Sequence, residues 1–146
     1  MAQIVVGVDE HPHAEKVVDF AIDLAKAEGA KIILVHAITN KSIPDGMRDE
    51  YRNSRGVVVK DQYYEDVFER TVTGLRRKIA DANVACEGVY GFGDPAKFIL
   101  TTAKSRGASS IIVGIHGLRR LGRVMALGEV ARNVIESSKI PVVAVP

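Results

Sequence analysis

Five short apolar runs recur along the chain: residues 4–8 (Ile-Val-Val-Gly-Val), 31–37, 84–90, 110–115 and 141–145. Each is nearly continuous in its apolar character rather than alternating with polar residues. A strand that shows water on one face alternates; a strand covered by helices on both faces does not need to. The runs therefore predict a sheet buried on both sides. The segments between them carry the helical period. Ala14, Val17, Val18, Ala21, Leu24 and Ala25 fall three and four apart, and Gly29 supplies the left-handed residue that commonly ends a helix. Tyr64, Phe68, Val72, Leu75, Ile79 and Ala82 form a second stripe, with Arg76, Arg77 and Lys78 near its end, where cations favour the helix dipole. Gly74 weakens the middle of that stripe by ~1 kcal/mol relative to Ala. Phe98, Ile99, Thr102 and Ala103 follow Asp94-Pro95, which reads as an N-cap and a first-turn proline. Val130, Ala131, Val134 and Ile135 make a fourth stripe. Strands alternating with helices predict an α/β fold: a five-stranded parallel sheet, open and doubly wound, with helices on both faces and right-handed crossovers. A ligand of such a sheet is expected at the carboxyl ends of the strands.

A chain of 146 residues fits one domain, here residues 1–146, and buries enough surface to need no disulfide or metal staple. Cys86 is the single cysteine, and no Cys/His zinc spacing occurs, which predicts a reducing, cytoplasmic setting and a small core residue at that position. The start, Met1-Ala2-Gln3 running into Ile4-Val5-Val6, has no basic segment followed by a long apolar one. No apolar run approaches the ~18 residues that span a bilayer. Neither secretion nor membrane insertion is expected. The 20 Lys and Arg against 18 Asp and Glu leave a net charge of +2, too small to argue for nucleic acid unless concentrated on one face.

Residues 39–60 do not fit a tight α/β connection. They contain Pro44, Gly46 and Gly56 among many charges, and a connection of that length reads as a lid, a binding loop or a disordered segment.

The most suggestive local feature is Gly114-Ile115-His116-Gly117 at the end of the fourth apolar run, with Gly128 opening the last helix. Glycines after a strand let backbone N–H groups approach an anion, and a helix amino terminus adds about half a positive charge. Arg119, Arg120 and Arg123 bring three cations, with no acid among residues 114–128. One reading is a phosphate site. The other is a plain turn with solvated arginines, since the spacing matches neither common phosphate-loop pattern. Spacing alone leaves both open.

The order of Ile4-Val-Val-Gly-Val-Asp9, Leu34-Val-His36-Ala37, Gly93-Asp-Pro95, Ile111-Ile-Val-Gly114-Ile-His-Gly117, Gly128-Glu-Val-Ala131 and Pro141-Val-Val-Ala-Val145 resembles the universal stress protein family over essentially the whole chain. The resemblance implies an adenine nucleotide alpha hydrolase-like sheet with four helices and a homodimer formed through the last strand, Pro141 to Val145. Some members of that family bind ATP or AMP and others bind no nucleotide. In the binding branch the motif is Gly, two residues, Gly, nine residues, Gly, then Ser or Thr. Here Gly114 and Gly117 fit, the gap to Gly128 (residues 118–127) is one residue longer, and Glu129 stands where the hydroxyl belongs. A hydroxyl can donate to a phosphate; an ionised Glu only accepts, and carries a like charge. The resemblance thus implies a nucleotide site lined by Asp9, Ala37, Gly114, His116, Gly117, Gly128, Glu129 and Val130, degraded at its phosphate end.

Each of these residues also has a plainer role. Glu129 in the first turn of a helix is favoured by the dipole, by ~0.3–1 kcal/mol. Asp9, which the resemblance places near the adenine with Ala37, could equally cap the first helix. His11 and His13 sit two apart beside Asp9 and Glu10, but no third ligand at a useful spacing accompanies them, so no metal is expected. His36 is expected at a strand end with its ring hydrogen-bonded, and His116 is the better ligand contact. No catalytic nucleophile assembles. The expected function is a regulatory stress-response module rather than an enzyme, with ATP or AMP as ligand and no nucleic-acid or membrane partner. The competing reading is a nucleotide-hydrolysing enzyme using the 114–128 loop. A receiver-type phosphoacceptor is set aside, because the third run ends Tyr90-Gly91 and the fifth Val145-Pro146, without the Asp and Lys such domains need.

Overall fold

The structure, a computed structural model, describes residues 1–38, 60–115 and 128–146, with the side chains of residues 60 and 61 left out. Most of the 39–60 connection therefore lies outside the described residues, as do His116, Gly117 and the three loop arginines. Strands β1 (Gln3–Gly7), β2 (Lys31–Ile38), β3 (Cys86–Phe92), β4 (Ser110–Gly114) and β5 (Val142–Val145) alternate with helices α1 (Ala14–Glu28), α2 (Lys60–Asp81), α3 (Pro95–Arg106) and α4 (Glu129–Ser137).

All strand pairs are parallel, in the order β3-β2-β1-β4-β5. The chain first winds outward from β1 through β2 to β3, then returns to the other side of β1. The reversal falls between β1 and β4, and it is at such a switch that an open α/β sheet leaves a crevice at its carboxyl edge. The continuous apolar runs have their expected cause. Polar residues do not alternate with apolar ones because both faces are buried: Ile4, Val6, Ile32, Leu34 and Ile38 meet α1 and α2 on one side. Val5, Ile33, Val35, Ile111 and Val113 meet α3 and α4 on the other. Each fully buried aliphatic side chain contributes about 1.5–3 kcal/mol relative to exposure.

Helix details follow local chemistry. Gly29 and Gly107 close α1 and α3 in the left-handed conformation, at φ 63° and 60°. Asp94 caps α3 by accepting from the Lys97 N–H at 3.0 Å, with Pro95 as the first helical residue. Helix α2 runs unbroken through Gly74, which is exposed and has nothing within 4 Å of where a Cβ would stand. Its buried face is wider than the expected stripe, because Tyr63 and Val67 are buried as well as Phe68, Val72, Leu75 and Ile79. The third strand begins at Cys86 rather than Val84. Asn83, at φ 59°, turns the chain after α2, so Val84 packs in the core just before the ladder starts. Cys86 is half-buried and packs against the α1/α2-side core rather than lying fully within it, and burial pushes its thiol above the usual range. Among the described residues no helix is long and apolar enough to cross a membrane.

Candidate functional site

A cavity of about 320 Å³ opens at the β1/β4 switch. Its base is the carboxyl end of the sheet: Gly7 and Val8 after β1, Val35, His36 and Ala37 of β2, and Val113 and Gly114 of β4. Its walls are the first turns of three helices. His13, Ala14 and Val17 come from α1, Pro95 and Ile99 from α3, and Gly128 to Ala131 from the entry to α4. The volume lies at the lower end of the ~300–1,000 Å³ usual for small-molecule sites.

Of the eight residues expected from the sequence, Asp9, Ala37, Gly114, Gly128, Glu129 and Val130 line this one cavity. His116 and Gly117 lie outside the described residues. Glu10, His13, His36 and Ile99 also line it and were not among those eight. Nothing in local sequence marks Ile99, since its place depends on α3 docking over Gly7. That docking is close: a Cβ at Gly7 would fall 2.6 Å from Ile99 Cδ1.

The three helix entries differ in how their first N–H groups are answered. Asp94 caps α3. Asp9 does not cap α1; its Oδ1 accepts from the His11 N–H at 2.9 Å, forming the turn that precedes the helix, and the N-cap position belongs to His13. The His13 ring leans across the sheet, with Nε2 2.9 Å from the Val145 carbonyl oxygen. At α4 the N-cap is Gly128, which has no side chain to offer the first-turn donors, and Glu129 is the first helical residue. Among the described residues no side chain caps those N–H groups, and a helix entry of this kind suits an acceptor from outside the helix.

Gly114 is small for a packing reason. A Cβ there would fall 2.9 Å from both His13 Cδ2 and Val17 Cγ2. His36 is buried and, as expected, hydrogen-bonded: Nδ1 is 2.9 Å from the Val8 carbonyl oxygen. Its Nε2 lies 3.5 Å from Glu10 Oε1. Burial opposes the imidazolium, but Glu10, the Val8 carbonyl and Asp9 outweigh it and raise His36 above its ordinary value. The charged side chains among the described lining are the carboxylates of Asp9, Glu10 and Glu129; no Lys or Arg accompanies them there. Among the described residues no three His, Cys, Asp or Glu side chains gather as a metal cluster.

The sequence model of the universal stress protein family matches residues 1–146. A similar protein is the universal stress protein YxiE of Bacillus subtilis, 30% identical over 154 aligned positions that cover 98% of this chain and 97% of that one. Among solved structures, the universal stress protein from Archaeoglobus fulgidus in complex with dAMP is similar at a TM-score of 0.69 and 22% identity, covering 100% of this chain and 98% of the other. A universal stress protein in complex with cAMP is similar at 0.72 and 24%, covering 99% and 97%. The shared architecture is the Rossmann-like, adenine nucleotide alpha hydrolase-like fold.

Proposed function

The chain belongs to the universal stress protein family, and from that premise we propose that it is a cytoplasmic, non-catalytic regulatory module that holds an adenine nucleotide, ATP or AMP, in the cavity at the β1/β4 switch. The observation that carries the reading is the entry to α4. A glycine N-cap has no side chain to answer the first-turn N–H groups, and among the described residues no other side chain caps them, beside a cavity whose base is glycine at Gly7 and Gly114. An anionic ligand supplies the missing acceptor. Asp9 and Ala37 flank the base and ribose, and Gly114, Gly128 and Val130 flank the phosphate. That related folds hold dAMP and cAMP supports the same ligand class here.

Glu129 makes the site a degraded one. Its carboxylate stands at the first position of α4 and competes for the field that a phosphate would use. The enclosure favours the nucleoside part, and the phosphate end is weak.

The module acts as a homodimer through β5. Among the described residues this strand pairs with β4 on one side only and ends the sheet with Val142, Val143, Ala144 and Val145. An apolar edge strand invites pairing with a second chain, and a two-fold axis there would satisfy it. Native mass spectrometry of the purified protein tests both parts together. A dimer carrying an adenine nucleotide mass is the expected spectrum. Monomer alone at micromolar concentration counts against the dimer, and no uptake of added AMP counts against the cavity reading.

A further inference from the structure

His36 lies at the base of the cavity on β2, one residue before Ala37, and is 1% exposed. Its Nδ1 faces the Val8 carbonyl at 2.9 Å. A carbonyl only accepts, so Nδ1 carries a hydrogen in every protonation state of the ring. That fixes what Nε2 can be: a lone pair in the neutral ring, or a second N–H in the imidazolium. Nε2 is buried and makes no hydrogen bond to a described residue, and the Glu10 carboxylate stands 3.5 Å from it. A lone pair facing a carboxylate is repulsive, and a buried acceptor without a donor is costly. An N–H facing the same carboxylate is a charge-assisted contact. The surroundings agree: Glu10 and Asp9 are the acidic groups acting on the ring, while on β3 its register partner Tyr90 packs its own ring against Phe68, 4.9 Å between centroids. Glu10 itself is half-exposed and lines the cavity.

We propose that His36 is a positioning residue whose protonated ring draws the Glu10 carboxylate down at the edge of the cavity, and whose deprotonation removes a positive charge from beside the ligand. The inference rests on the nucleotide reading and deepens it, by making the cavity discriminate ligand charge through this pair. With His36 protonated, Glu10 is partly neutralised and a phosphate is tolerated. With His36 neutral, that positive charge is gone, and a phosphate-bearing ligand is penalised more than an uncharged one.

The test compares AMP with adenosine in the full-length protein. Calorimetric affinities for both are measured from pH 6.5 to 9 in the parent and in Glu10→Gln, while the His36 ring is followed without ligand by ¹⁵N NMR. The AMP-to-adenosine affinity ratio is expected to fall about fivefold more across this range in the parent than in Glu10→Gln, a modest coupling. The phosphate's own ionisation, with a pKa of about 6, is common to both proteins and cancels in the comparison. The ring should lose its second hydrogen at lower pH in Glu10→Gln than in the parent. An equal fall of the ratio in both proteins, or the same NMR midpoint for the ring in both, overturns the inference. Failure of both ligands to bind overturns the nucleotide reading and this inference with it. The NMR midpoint then still reports whether His36 and Glu10 are coupled, so the two failures are told apart.

Discussion

The His13 ring donates from Nε2 to the carbonyl of Val145 at 2.9 Å, and so ties the entry of α1 to the end of β5 across the face of Gly114. The contact joins residues 132 positions apart and explains why β4 ends in glycine, since a methyl group there would strike His13 and Val17. His13→Ala should lower stability by about 1 kcal/mol through the lost hydrogen bond. Gly114→Ala should cost about 1–3 kcal/mol through overpacking. The double variant should cost less than the sum, because removing the ring makes room for the methyl. Urea denaturation of the four proteins measures the cycle, and strict additivity would show that ring and glycine do not share this space.

Glu87 accepts both guanidinium nitrogens of Arg106, at 2.7 and 2.8 Å, and the Lys31 ammonium at 3.1 Å, and these partners hold its carboxyl down to about 2. Since the folded value lies below the unfolded one, the unfolded chain takes up this proton first as pH falls. The contribution is complete above about pH 4.5 and is lost as pH drops toward 2. Thermal melts between pH 5 and 2 should therefore fall less steeply in Glu87→Gln than in the parent. Parallel curves would exclude the cluster as a source of acid lability.

For His36 the sign is reversed. Its folded value is raised above 6.5 despite burial, chiefly by Glu10, so the ion pair's contribution is complete below pH 6.5 and is lost as pH rises through the folded value. Melting temperatures from pH 6 to 9 should decline more in the parent than in Glu10→Gln, and identical declines would argue against the pairing.

Gly74 lies on the exposed face of α2 with open space where a Cβ would stand. Gly74→Ala should stabilise the protein by up to ~1 kcal/mol, through the helix propensity of Ala and the restricted unfolded chain. Chemical denaturation measures it, and a destabilised variant would mean that this face meets something the helix alone does not explain.

The sheet was legible in the sequence because burial on both faces writes the central strands as nearly unbroken apolar runs, while edge strand β3 carries Glu87 and no fully buried residue, and the observed strands fall within two residues of the runs. The α3 entry was legible too, since Asp94-Pro95 is local chemistry. What sequence spacing could not supply was anything set by register. Val8 meets His36 because β1 and β2 pair Gly7 with Val35, and Glu10 reaches the same ring from beyond the strand end. The role of Asp9 turned on where α1 begins. The helix starts at Ala14, so a carboxylate expected to cap it instead closes the turn at His11. Glu129 stands out in the sequence by its departure from a family motif, and it lies at the first turn of α4, on the cavity wall.

Titration of AMP into the parent protein and Glu129→Ser, followed by calorimetry, tests the central claim most directly. The account predicts measurable binding by the parent and roughly tenfold tighter binding by the variant, a change of ~1.4 kcal/mol as a like charge is removed and a donor is supplied. Absence of binding to both proteins would contradict the claim that this cavity holds an adenine nucleotide, and equal affinities would clear Glu129 of any part in it.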